Sequence, residues 1–333
     1  MPKLKLDIAS KVLRLANPLR VAGYTFETWE VIVVTLDDGA RRGRGEASGI
    51  YFLGDDAANM RAAIEDVRAA VEGGLDREAL RSLLPPGGAR NAIDCALWEL
   101  EAARSGKPVW QLAGVPQPRP VVTTFTLSAD TPIEMARGAV GYVDARAIKI
   151  KLTGDLALDL QRVHAIRAAR PDVWLGVDGN QGFVRDQLDA LIPALVEQRV
   201  SLLEQPLARG EEAALEGLAS PIPIAGDESI VSLADVTAAP SQFQIVNIKL
   251  DKCGGLTEGL LMAAEARRLG LGVMVGTMIG TSLATAPGFV LAQLCDFVDL
   301  DGATFIVEDR LPSVAYRDGT VFAGPDVWGS GRP

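Results

Sequence analysis

The sequence predicts an α/β protein, namely a (β/α)8-type TIM barrel with an N-terminal α+β capping domain. Two observations support this. Eight short strand candidates alternate with helical stretches after residue 120, and the preceding part lacks that alternation. Alternating strands and helices favour a parallel sheet, and eight units favour a closed barrel. The predicted domains are residues 1–115 for the cap, 116–309 for the barrel and 310–333 for a C-terminal segment that returns to the cap.

The cap is predicted from one hairpin and two helices. Residues 25–36 are rich in β-branched and aromatic side chains and end at the turn sequence Asp37-Asp38-Gly39, as the first strand of a hairpin would. Helical patterns follow over 57–72 and 89–105. Gly106 ends the second of these helices, since glycine is favoured just after a helix.

The barrel strands are predicted from short β-branched runs that recur between helical patterns. These runs are residues 122–127, 147–152, 173–180, 200–206, 223–229, 243–250, 272–279 and 297–302. The pattern stops after Asp309. Residues 316–324, with the sequence YRDGTVFAG, resemble a small hairpin.

Composition excludes several classes of partner. The chain has 33 basic and 43 acidic residues, a net charge of -10. This argues against a nucleic-acid partner, which requires clustered lysine and arginine. Residues 269–295 carry no charge, but glycines interrupt them, which favours a buried strand and helix over a membrane span. No apolar leader or cysteine pairing pattern is visible, so we expect a cytoplasmic protein.

Ionisable side chains stand near the ends of five consecutive predicted strands. They are Lys151, Asp178, Glu204, Asp227 and Lys249. Each spacing corresponds to one β/α unit. Because strand C-termini converge on one mouth of a barrel, where active sites lie, these five side chains are expected to meet there.

Three of these residues are carboxylates with no histidine or cysteine nearby. Three oxygen ligands with room for water favour Mg²⁺ first and Mn²⁺ second. The structural alternative is that Asp178, Glu204 and Asp227 form ion pairs with the lysines of the barrel mouth.

The two lysines complete a chemical hypothesis. Lys151 and Lys249 come from the second and sixth strands, roughly opposite each other, and can flank a bound ligand. A metal that binds a substrate carboxylate would stabilise the enediolate formed when the α-proton leaves. One lysine would take that proton and the other would return one to the opposite face, which inverts the α-carbon. A lyase that uses one lysine as its base stays open as the alternative.

The motifs that carry these residues resemble those of the enolase superfamily, and more narrowly its muconate-lactonizing subgroup. In order they are IKIKL, VDGNQ, LLEQP, AGDES and NIKLDKCGG, and the stretch RNAIDCALWELEAARSGKPVWQLAG resembles the link from cap to barrel. The resemblance implies magnesium ligands at Asp178, Glu204 and Asp227. It implies acid/base lysines at Lys151 and Lys249.

The same resemblance implies further site residues. Lys149 matches the first lysine of a KxK motif and is expected near the substrate. Asn180 and Glu228 match positions next to the metal or in its surroundings. Higher-order assembly is common among such proteins, so a homo-oligomer is possible.

The end of the eighth strand distinguishes among members of the subgroup. Asp299 and Asp301 lie two residues apart and therefore share a face. Two carboxylates away from the metal ligands suit a cationic ligand group, such as the α-ammonium of a dipeptide. The pattern is similar to that of dipeptide epimerases such as the L-Ala-D/L-Glu epimerases. The alternatives are a turn cap, or a muconate-type cycloisomerase, an o-succinylbenzoate synthase or an N-acyl amino acid racemase.

The pocket for the substrate side chain is predicted to be apolar. The resemblance places a basic residue of Glu-specific epimerases near the position that Phe26 occupies here. Tyr24 and Tyr51 add aromatic side chains, so we expect a dipeptide whose second residue is uncharged or hydrophobic. Thr124 and Thr126 share a strand face, and one of them, with Thr124 as the candidate, is expected to form a hydrogen bond to substrate. Gly280 stands near a position where many relatives have an acid, and the absence of that acid is expected to enlarge or neutralise that corner of the pocket.

Overall fold

A three-stranded antiparallel sheet and the helices packed on it form the first part of the computed structural model, which describes residues 4–21 and 23–331. In sheet order the strands are β1 (Lys5–Val21), β2 (Tyr24–Asp37) and β3 (Arg42–Ser48). The helices are α1 (Ala57–Glu72), α2 (Arg77–Leu83), α3 (Gly88–Ser105) and α4 (Val109–Leu112).

The predicted cap elements are confirmed, and local chemistry explains their ends. Asp56 caps α1 by accepting a hydrogen bond from Asn59 N at 2.8 Å. Gly106 ends α3 in the left-handed conformation, with φ at 69°, which a residue with a side chain rarely adopts. The predicted first hairpin strand corresponds to β2, which pairs with β3 from Val31 onward.

Eight parallel strands form the barrel, and each predicted strand is confirmed. After a two-residue strand β4 (Val121–Val122), they are β5 (Thr124–Leu127), β6 (Ala147–Lys151), β7 (Trp174–Asp178), β8 (Leu202–Glu204), β9 (Ile224–Gly226), β10 (Ile245–Lys249), β11 (Gly272–Gly276) and β12 (Phe297–Asp299). Their order in the sheet follows the chain.

Helices cover the outside of this sheet. They are α5 (Pro132–Gly141), α6 (Leu156–Ala169), α7 (Arg185–Glu197), α8 (Leu233–Ala238), α10 (Leu256–Arg268) and α11 (Ser282–Ala292). The short helix α9 (Leu250–Cys253) directly follows β10 and is buried against the cap. The uncharged stretch 269–295 contains β11 and α11, both largely buried, as predicted. Among the helices of the described residues, none combines the length and apolar character needed to cross a membrane.

Side chains join the two edge strands, β12 and β5, where no backbone ladder is formed between them. Leu300 N donates to Thr123 Oγ1 at 2.9 Å, and Thr126 N donates to Asp301 Oδ2 at 2.6 Å. Thr124 Oγ1 donates to Asp299 Oδ1 at 2.5 Å. These bonds close the barrel at the position where the two aspartates stand.

The C-terminal segment contains the predicted hairpin, β13 (Ala315–Arg317) and β14 (Thr320–Phe322). β14 also pairs with β4, the two-residue strand that precedes β5 in the chain. Farther on, Trp328 Nε1 donates to Arg44 O on β3 at 2.9 Å, and Gly329 N donates to Glu99 Oε1 on α3 at 3.2 Å. The segment therefore contacts the cap, while the exact domain limits stay a prediction.

Candidate active site

Five neighbouring strands bring the predicted ionisable residues together at the mouth of the barrel. Lys151 pairs in register with Asp178, and Asp178 with Glu204. Asp227 directly follows β9, and Lys249 ends β10. In a parallel barrel these C-terminal ends point to the same side, so the order of residues around the rim is Lys, Asp, Glu, Asp, Lys.

The three acids are close enough to share one ion. Carboxylate oxygens of Asp178, Glu204 and Asp227 all lie within 4.8 Å of one another, and the three residues are at most 1% exposed. Each lysine contacts the acid beside it. Lys151 Nζ lies 2.6 Å from Asp178 Oδ2, and Lys249 Nζ lies 2.6 Å from Asp227 Oδ2. The lysines therefore stand on two sides of the acidic group.

Burial and neighbouring charges set the protonation of these acids. Burial raises the pKa of Asp178, but the charges of Lys151 and Lys149 outweigh it and lower the pKa to about 2. Burial, together with the charge of Asp178, raises the pKa of Glu204 to about 8. A carboxyl that resists ionisation beside two acids is stabilised as carboxylate by an added cation.

Further oxygen atoms around the acids indicate that they could hold a metal ion. Asn180 Oδ1 and Glu228 Oε2 are buried and have no hydrogen-bond partner. Buried polar atoms rarely stay without a partner, so these two fit a hydrated cation held by the three carboxylates. Burial, followed by the charge of Asp227, raises the pKa of Glu228 to about 7. Asn180 N donates to Asp178 Oδ1 at 2.9 Å, so Asn180 lies next to the acids, and its amide is 3.4 Å from Glu228 Oε1.

Lys149 lies beneath the pocket rather than in its wall. Its ammonium contacts Glu204 Oε2 at 2.7 Å, Asp299 Oδ2 at 2.8 Å and Asp178 Oδ2 at 3.2 Å. Burial opposes its charge, but these acids raise the pKa of Lys149 well above its usual value. Lys149 is therefore a charged support for the acids. Thr124 is similarly placed, because its hydroxyl is bound to Asp299.

Asp299 and Asp301 differ in their charge partners although both line the pocket. Burial disfavours the charge on Asp299, but Lys149 outweighs it and lowers the pKa. Asp301 accepts a hydrogen bond from Thr126 N, and within the described chain it forms no ion pair with a lysine or arginine. Burial, and then the charge of Asp299, raises the pKa of Asp301 to about 7. Of these two aspartates, Asp301 is thus the one without a lysine or arginine partner among the described residues.

The opposite wall of the pocket is apolar and comes from both domains. It is formed by Leu19, Val21, Phe26, Trp29, Tyr51, Phe52, Met278, Ile279 and Phe305. The Phe26 ring is 4.8 Å from that of Trp29 and 5.3 Å from that of Tyr51, edge to face. The cations that line this pocket in the described chain are Lys151 and Lys249.

Two residues singled out from the sequence, Tyr24 and Gly280, and the basic residue Arg20 lie outside this wall. Tyr24 is 46% exposed and stacks on Phe26 with ring centroids 5.9 Å apart, so it borders the pocket without lining it. Arg20 is bound to Asp130 at the surface. The expectation that the pocket has an enlarged or neutral corner at Gly280 is wrong, because Gly280 does not line the pocket. A Cβ there would meet Glu46 Oε1 of the cap at 3.2 Å and Ala284, so this position faces the domain interface.

Sequence reasoning missed two buried residues that hold Asp227. Lys252 is fully buried, and its ammonium lies 2.5 Å from Asp227 Oδ1. Gln205 Oε1 accepts hydrogen bonds from Asp227 N at 2.9 Å and Ser229 N at 3.2 Å. Both residues stand in quoted motifs, NIKLDKCGG and LLEQP, so their position next to Lys249 and Glu204 was the available signal.

Comparison with family models assigns both parts of the chain. Residues 3–114 match the mandelate racemase/muconate lactonizing enzyme N-terminal domain, and residues 134–322 match the enolase C-terminal domain-like family. The chain belongs to the enolase superfamily. The predicted family and fold are therefore confirmed.

Two curated relatives share 38% identity with this member of the superfamily. An L-Ala-D/L-Glu epimerase of Escherichia coli matches over 92% of this chain and 95% of its own length. An N-acetyl-D-glutamate racemase of a Pseudoalteromonas species matches over 74% of this chain and 77% of its own. Epimerases and racemases are isomerases, and the chain is accordingly an enzyme of the racemase and epimerase class.

Solved structures agree with this placement. An enolase family member from Agrobacterium tumefaciens, with homology to dipeptide epimerases and with bound sodium and L-Ala-L-Glu, has a TM-score of 0.93 and 37% identity, covering 98% of this chain and 100% of that one. A dipeptide epimerase from Enterococcus faecalis, complexed with Mg and L-Leu-L-Tyr, has a TM-score of 0.90 and 26% identity, covering 97% of each chain.

Proposed function

We propose that this protein is a Mg²⁺-dependent dipeptide epimerase that inverts the α-carbon of the C-terminal residue. The preferred substrates carry an uncharged, hydrophobic side chain on that residue. The supporting features are the lysines and acids at one end of the pocket, a carboxylate without a cation at the other, and an apolar wall between the domains.

Asp301 is the observation that carries the dipeptide assignment. Its carboxylate lines the pocket, and no lysine or arginine of the described chain pairs with it. A buried carboxylate in this position favours a ligand cation. A dipeptide supplies one as its α-ammonium, at the opposite end from its carboxylate. Muconate and succinylbenzoate derivatives offer no such group.

The lysines supply the proposed chemistry. With the α-carbon of the substrate between them, one lysine removes its proton and the other delivers a proton to the opposite face, so the product differs only in configuration. Lys151 and Lys249 exchange roles when the reaction runs in the reverse direction. Lys149 and Lys252 take no part in proton transfer. They contact Glu204 and Asp227 and hold these acids in place.

Asp178, Glu204 and Asp227 would hold the magnesium ion, and the unpartnered oxygens of Asn180 and Glu228 could accept hydrogen bonds from its water. Magnesium, when bound, neutralises the substrate carboxylate and the negative charge that develops as the proton leaves. The donor set supports this assignment, since it offers oxygen atoms and no histidine or cysteine. Mn²⁺ is the second choice on the same ground.

The apolar wall supports the preference for a hydrophobic second residue. Phe26, Tyr51 and Phe52 are the aromatic side chains of the cap that line the pocket together with Trp29. A glutamate side chain against these rings would be buried without a cation, because Arg20 is held by Asp130 at the surface. A phenylalanine or leucine side chain gains from the same burial.

The direct test is a mixture of L-Ala-L-Xaa dipeptides incubated with enzyme and Mg²⁺ in D2O and read by mass spectrometry. Each epimerised peptide gains one mass unit at its α-carbon. We expect the largest signals for L-Ala-L-Phe and L-Ala-L-Leu. A kcat/KM for L-Ala-L-Glu that is about tenfold higher or more would contradict the side-chain preference. Absence of exchange in every dipeptide, with metal bound, would contradict the dipeptide assignment.

A second candidate, an N-acyl amino acid racemase, is favoured by the relative that is named an N-acetyl-D-glutamate racemase. An N-acyl group has no ammonium to offer Asp301. Adding N-acetyl-L-Phe and N-acetyl-L-Glu to the mixture separates the two assignments. Preferential exchange of the acetylated compounds would favour the second.

A further inference from the structure

The segment from Gly49 to Asp55 carries Tyr51 and Phe52 into the pocket and is a tightly folded turn. Ile50 O accepts hydrogen bonds from the far end of the turn, including one from Asp55 N at 3.2 Å. The Ile50 side chain is fully buried, and a Cβ at Gly49 would clash with Asp55 O. The positions of the two aromatic rings therefore depend on where the start of this turn is attached.

Asp251 attaches the start of the turn to the barrel. Ser48, the last residue of β3, donates its backbone N–H to Asp251 Oδ1 at 3.0 Å. Asn91 Nδ2 on α3 donates to the same oxygen at 3.1 Å. Asp251, Ser48 and Asn91 are each at most 4% exposed. Asp251 stands on α9, two residues after Lys249, so the attachment joins the turn to the strand that carries a proposed acid/base lysine.

A second buried aspartate provides a comparison. Asp94, on α3, accepts hydrogen bonds from Thr257 N at 3.0 Å and Thr257 Oγ1 at 2.5 Å. It is 1% exposed and joins the cap to α10 of the barrel in the same way. Neither Asp94 nor Thr257 lines the pocket or adjoins the turn. The two aspartates make the same kind of domain contact, but only Asp251 holds a segment that faces substrate.

We propose that Asp251 is a positioning residue that sets where Tyr51 and Phe52 stand relative to Lys249, and so determines how the second residue of the substrate is bound. Its kinetic consequence rests on the proposed dipeptide epimerase function. Without this carboxylate, two buried N–H groups lose their acceptor, and buried donors rarely stay without a partner. The turn then shifts, and a long substrate side chain loses more contact than a short one.

The test compares Asp251→Ala with Asp94→Ala, using L-Ala-L-Phe and L-Ala-L-Ala as substrates. For Asp251→Ala we expect the ratio of kcat/KM between these substrates to fall about tenfold, mainly through KM for L-Ala-L-Phe. Asp94→Ala leaves this ratio unchanged even where it lowers Tm. Asp251→Asn keeps an acceptor oxygen and restores the ratio to within about twofold. If Asp251→Ala does not fold, the shorter side chain of Asp251→Ser serves the same comparison.

Hydrogen exchange supplies a readout that does not depend on turnover. Amides of residues 49–55 should exchange faster in Asp251→Ala than in the unchanged protein, and not in Asp94→Ala. Equal losses for both substrates, or the same ratio change in Asp94→Ala, would overturn the proposal in favour of a general interface role. If the unchanged enzyme exchanges no dipeptide α-proton, the proposed function fails, and the exchange of residues 49–55 still decides the role of Asp251.

Discussion

Charge balance at the residue scale explains why so many ionisable groups can be buried together. Among the described residues, the site holds six acids and four lysines, an excess of two negative charges when all are ionised. They are Asp178, Glu204, Asp227, Glu228, Asp299, Asp301, Lys149, Lys151, Lys249 and Lys252. One divalent cation removes that excess. Because buried charges need partners, the lysines that do not face the pocket are as necessary to the site as those that do.

Replacing either pocket lysine should separate proton removal from inversion. In Lys249→Ala we expect epimerisation to fall by about 10²–10⁴-fold, whereas α-deuterium exchange persists for one diastereomer, since Lys151 alone can act on one face. Lys151→Ala should show the converse. The measurement is NMR of the L,L and L,D dipeptides, each in D2O, with the exposed Lys11→Ala as control. Inversion that survives in Lys249→Ala would contradict the two-base mechanism.

Asp301 should set the acid side of the pH profile. Its pKa is raised to about 7, so the carboxylate form that binds an ammonium is lost as the pH falls through 7. We therefore expect kcat/KM for L-Ala-L-Phe to decline below about pH 7, and again above about pH 8 as the peptide amine loses its proton.

Two variants check this assignment in pH profiles at constant ionic strength. Asp301→Asn should remove the acid limb and lower the maximum about tenfold or more. Asp299→Asn should move the limb to lower pH, because Asp299 contributes to the raised pKa and its removal frees the charge of Lys149. An unchanged limb in Asp301→Asn would assign the titration to another group.

At the element scale, the contact between β12 and β5 joins the closure of the barrel to the proposed substrate-binding residues. Asp299 and Asp301 bond to Thr124 and Thr126 across this contact. Where two edge strands form no ladder, their backbone N–H and C=O groups need other hydrogen-bond partners. Side chains at this contact provide such partners. The same carboxylates therefore close the sheet and line the pocket, so the turn-cap and ligand-binding interpretations of this motif are not exclusive.

The variant Thr123→Val tests how much this contact contributes to the stability of the fold. Thr123→Val keeps the shape of the side chain but removes the acceptor of Leu300 N, and both residues are fully buried. We expect the free energy of unfolding to fall by about 1–3 kcal/mol. Thr237→Val on the exposed side of α8 is the matched control, with an expected change within about 0.5 kcal/mol. Urea unfolding of both variants gives the comparison, and equal midpoints would contradict a role for this bond.

At the scale of the whole molecule, the pocket exists only because two domains meet. The barrel contributes the acids and lysines, and the cap contributes the rings of Phe26, Trp29 and Tyr51. Glu46 on β3 accepts hydrogen bonds from Thr281 N and Oγ1, each at 2.6 Å, and thereby fixes the cap near the loop that follows β11. In the proposed function the barrel therefore supplies the chemistry, whereas both domains contribute to binding of the substrate side chain.

Phe26→Arg should change the preferred side chain without affecting the chemistry. A guanidinium at this position would offer a partner to a glutamate side chain, so kcat/KM for L-Ala-L-Glu relative to L-Ala-L-Phe should rise by at least about tenfold. Phe26→Leu keeps the wall apolar and should leave L-Ala-L-Glu disfavoured. Arg20→Ala should not alter the ratio, because Arg20 pairs with Asp130 outside the pocket. If Phe26→Arg does not change the ratio of kcat/KM between L-Ala-L-Glu and L-Ala-L-Phe, the side chain of the second residue does not bind next to position 26.

The sequence by itself determined the barrel, its eight strands and the order of charged residues around its mouth. These features follow from local rules. Strand and helix periods are readable along the chain, and a residue at the C-terminal end of a parallel strand lies at one known side of the barrel. Lys151, Asp178, Glu204, Asp227 and Lys249 could therefore be placed together from spacing alone.

Only the tertiary structure decided how deep each residue lies in the barrel, which residues contact one another, and which residues form the pocket for the substrate side chain. The alternation along a strand shows which residues share a face, but not how far along the barrel axis each one lies. Lys149 and Thr124 lie beneath the pocket, whereas Lys151 and Thr126 line it. Gly280 faces Glu46 of the cap, and Asp251 holds the turn of Tyr51, through contacts between residues distant in sequence. Such contacts depend on how two domains dock, and no local pattern in the chain encodes that geometry.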